Sequence, residues 1–206
     1  MDGSFVTFTG LSALFVFGAS QLWDLTREHR KSQRATQSYI RALFAEIDFN
    51  TADLHRFNES TIATSVLIKA FQRNNGLIPH ISDASHTIVY STNLARLSDL
   101  PNGLIRDVVE FYGDLAKIRE SVAGLEKESF KTISPEGKVN VIEGLYRRSI
   151  STEGLGESLL NKFGEEFSDL SLRRKEHCHD EDHLSERLAD LAEKIQAARR
   201  RHDLPL

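Results

Sequence analysis

The chain changes character at Trp23. From Phe5 to Trp23 nineteen residues pass without a charge, and beyond Trp23 apolar and charged positions alternate at helical spacing. At ~1.5 Å of rise per residue the uncharged run spans roughly 28 Å, about one hydrocarbon core. Phe5, Val6, Phe8, Leu11, Leu14, Phe15, Val16 and Phe17 surround the helix instead of favouring one face, unlike an amphipathic core helix. Residues 1–23 are therefore expected to form a transmembrane anchor. A cleaved signal peptide is the rival reading. It lacks a basic leading region, since only Met1, Asp2, Gly3 and Ser4 precede the run. Gln21, Leu22 and Trp23 also continue past the small residues of Phe17-Gly18-Ala19-Ser20. Trp23 suits a headgroup-level position, where an amphipathic ring is favoured.

Residues 24–74 predict one long juxtamembrane helix. Ile40, Leu43, Ile47, Leu54, Phe57, Ile68 and Phe71 keep a three–four phase that also passes through Asn50, Thr61 and Thr64. Such a helix would run from the bilayer to about Arg73 and stop at Asn74-Asn75-Gly76 with a left-handed cap. Residues 75–206 are expected to form a helical bundle packing with it. Pro79 marks a connector, and Ser82 or Asp83 is placed to cap a short helix carrying Val89, Tyr90, Leu94 and Leu97. The run Thr87-Ile88-Val89 also permits a strand.

The cleanest pattern follows. Leu104, Val108, Phe111, Leu115, Ile118, Val122 and Leu125 form a heptad seam, read as the central helix of a bundle or as a dimeric coiled coil. Ser134-Pro135-Glu136 starts the next helix, with a capping hydroxyl and proline at the first helical position. Val139, Ile142 and Tyr146 face one side of it. Gly154 and Gly156 are expected to break it before a last long helix. There Phe163, Phe167 and Leu170 share a register with Leu184, Leu188, Leu191 and Ile195, through Arg174, His177 and Glu181. The fold class predicted is all-α: a transmembrane helix continuing into a bundle of four or five helices with long antiparallel helices.

Charge sets the orientation. Arg27, Arg30, Lys31 and Arg34 follow the anchor and no Lys or Arg precedes it, so the positive-inside rule puts the N-terminus outside and the rest in the cytoplasm. The same cations suit anionic lipid. A lone cysteine, Cys178, agrees with a reducing compartment. Asn58-Glu59-Ser60 matches a glycosylation sequon by chance on that topology. A net charge of −4 and the short basic clusters Arg147-Arg148 and Arg199-Arg200-Arg201 do not make a nucleic-acid surface. Arg147-Arg148 is read as complementing its helix C-terminus.

Candidate chemistry is sparse. His177, Cys178, His179, Asp180, Glu181, Asp182 and His183 form the densest set of potential metal ligands, with His179 and His183 one helical turn apart. The segment lacks the H-E-x-x-H spacing of metalloproteases and the paired C-x-x-C of structural zinc sites, so a solvated charged helix is the plainer reading. His80 and His86 are isolated. No P-loop or G-x-G-x-x-G is present, and no nucleophile elbow. Gly10, Ala13, Gly18 and Ala19 give only a weak transmembrane pairing signal without a strict G-x-x-x-G. No catalytic, cofactor or metal residue is assigned.

Ala45-Glu46-Ile47 with Asn50, Val89-Tyr90 with Asn93-Leu94, Leu97, Leu100-Pro101 and Val109-Glu110-Phe111-Tyr112 with Leu115 resemble a set of uncharacterised bacterial single-pass membrane-anchored helical proteins. The resemblance covers about Ile40 to Leu125 and implies architecture and a bacterial setting, without an activity. The function expected is a membrane-anchored, non-enzymatic interaction or scaffold module on the cytoplasmic face of the inner membrane. It would contact lipid through residues 5–23 and engage a protein partner or a second copy of the chain, but no nucleic acid. The alternatives are a metal sensor or enzyme using residues 177–183, including His177, His179 and His183, and an oligomerising membrane effector.

Overall fold

The computed structural model describes residues 4–60, 62–79, 81 and 85–174, with side chains at Trp23 and from Thr26 onward. The regular elements of the described residues are all helices, with no strand among them. The helices are α1 (Ser4–Glu59), α2 (Thr64–Arg73), α3 (Ile88–Thr92), α4 (Asn102–Leu125), α5 (Glu128–Lys131) and α6 (Pro135–Glu166), with short 3-10 turns at Leu94–Asp99 and Ser168–Leu170. The chain divides into two compact units, Met1–Arg41 and Ala42–Leu206, the boundary falling within α1.

The first unit carries the leading part of α1. The expected anchor over residues 5–23 lies on its backbone, but those side chains, Trp23 apart, lie outside the described residues. Among the described residues no helix is long and apolar enough to cross a membrane. Residues 26–35 are exposed on every side.

The second unit is a helical bundle. Leu43, Ile47 and Leu54 of α1 are buried, as are Leu67, Ile68 and Phe71 of α2. α4 and α2 both pack against α6. The heptad seam of α4 is the core that its spacing predicts: Leu104, Val108, Phe111, Leu115, Ile118 and Leu125 are buried, joined by Tyr112. That seam serves packing within the chain. Across α6, Val139, Ile142, Leu145, Tyr146, Ile150, Leu159, Leu160 and Phe163 complete the core. Ser134 accepts a hydrogen bond from the Gly137 backbone N–H at 3.1 Å, with Pro135 in the first turn, so the predicted helix start holds.

Several local expectations are corrected. The helix expected to reach Arg73 ends at Glu59, where the Ser60 N–H and Oγ both bond back to Phe57 O, and α2 begins afresh at Thr64. Hydroxyl-bearing residues compete locally with the helical ladder in this way. The stop at Asn74 is extended, with φ −144, and no described glycine has positive φ, so there is no left-handed cap. The short helix expected around Val89 and Tyr90 is present as α3, without the strand that Thr87-Ile88-Val89 also permitted. Only its expected extension to Leu94 and Leu97 is corrected, since those residues lie in the following 3-10 turn.

Another correction concerns the glycines of α6. The helix runs unbroken through Gly154 and Gly156 and stops at Glu166. Gly156 is buried where a Cβ would overlap Thr51 Oγ1 of α1 and lie 2.9 Å from Phe111 Cε2 of α4, so its role is close helix approach. Arg147 and Arg148 consequently sit in mid-helix and do not complement a C-terminus. After Leu170 the chain turns through Ser171 in a left-handed conformation, φ 47. The helix expected from Phe163 to Ile195 is therefore interrupted, and its part beyond Arg174 lies outside the described residues.

Candidate functional site

Three buried polar clusters organise the bundle. The first starts at Glu46, which α1 presents one turn before Asn50. The Glu46 carboxylate accepts from the backbone N–H of Val89 at 2.6 Å, from that of Tyr90 at 3.0 Å and from the Tyr112 hydroxyl at 2.7 Å. It thus satisfies first-turn N–H groups of α3, which have no acceptor within their own helix. Asn50 pairs with the backbone of His86 in both directions: its Nδ2 donates to His86 O at 2.6 Å and its Oδ1 accepts from His86 N–H at 2.7 Å. Tyr90 stacks on Tyr112, ring centroids 4.0 Å apart and planes within 5°. Phe49 packs on the His86 ring at 4.3 Å, and Arg119 donates to Ser85 O and Oγ.

Neither α3 nor the 3-10 turn after it contains a buried residue. The segment 85–92 is therefore held mainly by these polar grips and the tyrosine stack. The cluster unites Glu46, Asn50, Val89, Tyr90 and Tyr112, all residues of the pattern from which the sequence resemblance was drawn. Asn93 adds a bond of its own, Nδ2 to Val89 O at 2.8 Å.

The second cluster joins α1 to α6. Glu153 is 2% exposed and accepts from His55 Nδ1 at 2.7 Å and from Asn58 Nδ2 at 2.6 Å. His55 Nε2 lies 3.2 Å from Glu59 Oε1. A carboxylate holding an imidazole is the orienting half of a proton-transfer pair. Catalysis would need the second nitrogen open to a substrate, and here it faces Glu59. The cleft of about 380 Å³ on this stretch of α1 is lined by Asp53, Arg56, Phe57, Ser60, Ile142 and Tyr146 among others, and His55 is not one of them. The pair is a bridge between helices. Asn58 of the sequon is committed to it and 5% exposed.

The third cluster centres on Lys138, which is fully buried. Its ammonium donates to Asn75 O, to Asn75 Oδ1 at 3.0 Å and to Lys131 O at 3.2 Å. It also lies 5.7 Å from the Phe71 ring centroid and 5.3 Å from that of Phe130, within reach of both π faces. One cation thus ties the turn after α2 and the end of α5 to the start of α6.

Two further groups lie on the cleft walls. Tyr146 stacks on Phe57 at 4.9 Å. Burial raises its phenol above the ordinary 10.0, only partly offset by a hydrogen bond with the Ile62 backbone. Arg174 closes the segment after α6 by pairing with Glu157 at 2.6 Å and lying 3.6 Å from Asp48. Burial works against its charge, but the Glu157 hydrogen bond and the two carboxylates outweigh burial and leave it raised. A cleft of about 680 Å³ is lined by Phe44, Leu172, Lys162 and Arg174 among others. Its cations are already committed, Lys162 to Asp107 at 2.6 Å and Arg174 as above.

The histidine-rich segment 177–183 lies outside the described residues, as do His80 and Arg199-Arg200-Arg201. Among the described residues no group of His, Cys, Asp or Glu is placed to hold a metal. Glu153 and Lys138 were not singled out in the sequence. A signal for them exists: Lys138, Ile142, Leu145, Ser149, Glu153 and Gly156 keep the phase of the buried face of α6. Compared with protein-family models, curated proteins and solved structures, the chain finds no match.

Proposed function

We propose that the protein is a membrane-anchored, non-enzymatic interaction module, held in the inner membrane by residues 5–23 with its helical domain on the cytoplasmic face. The observation that carries this reading is α1. The uncharged stretch and the buried residues Leu43 and Ile47 belong to one helix, Ser4–Glu59. An uncharged segment of that length is costly to leave in water and suited to a bilayer. The buried polar side chains support a non-enzymatic role, because Glu46, Asn50, Glu153 and Lys138 are all engaged in joining helices and segments. Anchoring raises the effective concentration of the domain toward other membrane-bound proteins. Exposed Ile88, on the segment that Glu46 and Asn50 pin, and Leu94 in the turn after it offer apolar contact area for such a partner.

The lone Cys178 is a built-in topology reporter. In sealed right-side-out vesicles carrying the full chain, a membrane-impermeant maleimide should label Cys178 only after detergent opens them. The protein should also stay in the pellet after alkaline carbonate extraction. Release into the supernatant overturns the anchor, and labelling of intact vesicles overturns the orientation. Crosslinking from the same membranes then identifies what the domain binds.

A further inference from the structure

The exposed part of α1 carries a second membrane-facing feature beyond the apolar stretch. At 3.6 residues per turn, Trp23, Arg27, Arg30, Lys31 and Arg34 fall within an arc of about 100° on the helix. Each is exposed, Trp23 to 70%. None of the four cations pairs with a carboxylate among the described residues, and Glu28 lies outside the arc. A helix segment with its cations along one line presents a directed, positively charged face. The line begins at the residue expected to sit at headgroup level, and each cation lies ~1.5 Å per residue further along the axis.

We infer that this stripe is a binding surface for anionic lipid headgroups, an inference that rests on the membrane anchoring proposed above. The occupant is set by charge and position. Phosphates occupy the layer just outside the hydrocarbon, and Arg27 at ~6 Å from Trp23 along the axis falls within it. Arg30 and Lys31 follow at roughly 11–12 Å and Arg34 at roughly 17 Å, past the ~8 Å screening length of physiological salt. The contribution to lipid selectivity therefore declines in the order Arg27, then Arg30 and Lys31, then Arg34.

Trp23 is the protein's single tryptophan, so its fluorescence reports the lipids touching this face and nothing else. The full chain is reconstituted into vesicles of phosphatidylcholine and phosphatidylglycerol, with one or the other lipid brominated as a quencher. The ratio of quenching gives the preference for the anionic lipid beside Trp23. The intact protein should prefer phosphatidylglycerol by about fivefold at low salt, the factor for one cation at the surface, about 1 kcal/mol. High salt should remove the preference. Arg27→Gln should lower it more than Arg34→Gln does. Replacing all four cations with Gln should bring the ratio to one, and replacing the three arginines with Lys should preserve it. A ratio of one for the intact protein, or an unchanged ratio in the four-Gln variant, overturns the inference. Absence of quenching by either brominated lipid overturns the anchor itself, a separate result.

Discussion

Replacing Gly156 with alanine adds one methyl group at the point where α6 meets Thr51 of α1 and Phe111 of α4. That methyl would overlap Thr51 Oγ1, lie 2.9 Å from Phe111 Cε2 and 3.2 Å from Thr51 Cβ. Thr51 has little room to yield, being 1% exposed with its hydroxyl donating to Ile47 O at 2.8 Å. Phe111 is fully buried. The helices must therefore separate, and an overlap this severe falls in the upper part of the range for overpacking, ~2–3 kcal/mol. Alanine recovers up to ~1 kcal/mol over glycine in a helix interior. The net loss expected is ~1–2 kcal/mol, or a fall in melting temperature of ~2–8 °C for a chain of this size. Thermal unfolding of the detergent-solubilised full chain, followed by helical circular dichroism, measures it. Thr51→Ala removes the overlapping hydroxyl, so the double variant should be less destabilised than the sum of the single ones by ~1 kcal/mol. A Gly156→Ala protein that melts at or above the wild type, or strict additivity with Thr51→Ala, refutes the close approach.

Glu46→Ala should leave two α3 N–H groups and the Tyr112 hydroxyl without their acceptor, at ~1–3 kcal/mol for each group that stays buried. Because α3 buries no side chain of its own, amide hydrogen exchange should quicken at Val89 and Tyr90 while α4 and α6 stay protected; equal quickening throughout would refute the local grip. Tyr146 gives a pH prediction. With its phenol raised by burial, the folded chain holds that proton more tightly than the unfolded one, so its contribution is intact below about pH 10 and is lost as pH climbs above it. The melting temperature should accordingly fall less steeply between about pH 9 and 11 in Tyr146→Phe than in the wild type, and parallel curves would refute the assignment.

Which parts of this fold could be read from the chain follows from where the deciding interaction lies. The α4 seam was legible because its apolar positions between Leu104 and Leu125 repeat on one face, and Ser134-Pro135 because a cap acts within one turn. Gly156 was misread because a glycine that breaks a helix and one that admits a neighbouring helix look alike in one dimension. The distinction lies in Thr51 and Phe111, distant in sequence. The end of α1 was missed for a related reason. The apolar phase continues through Ile68 and Phe71, so periodicity carries across a turn that the backbone and hydroxyl bonds of Ser60 create.

The polar clusters pose a harder case, since charged residues are ordinarily assigned to the surface. Glu46 and Asn50 could be noticed as a pattern, yet what they grip lies 36 to 66 residues away. Lys138 and Glu153 carry a usable local signal, because both fall in phase with Ile142, Leu145 and Phe163 on the buried side of α6. A charge on an apolar seam must find a partner there, or its burial would cost several kcal/mol. Lys138 finds carbonyls at the ends of two other elements, and Glu153 finds two donors on α1. Reading such a residue as a connector and asking which helix end supplies its partner converts an apparent fault in the pattern into a constraint on how the helices pair.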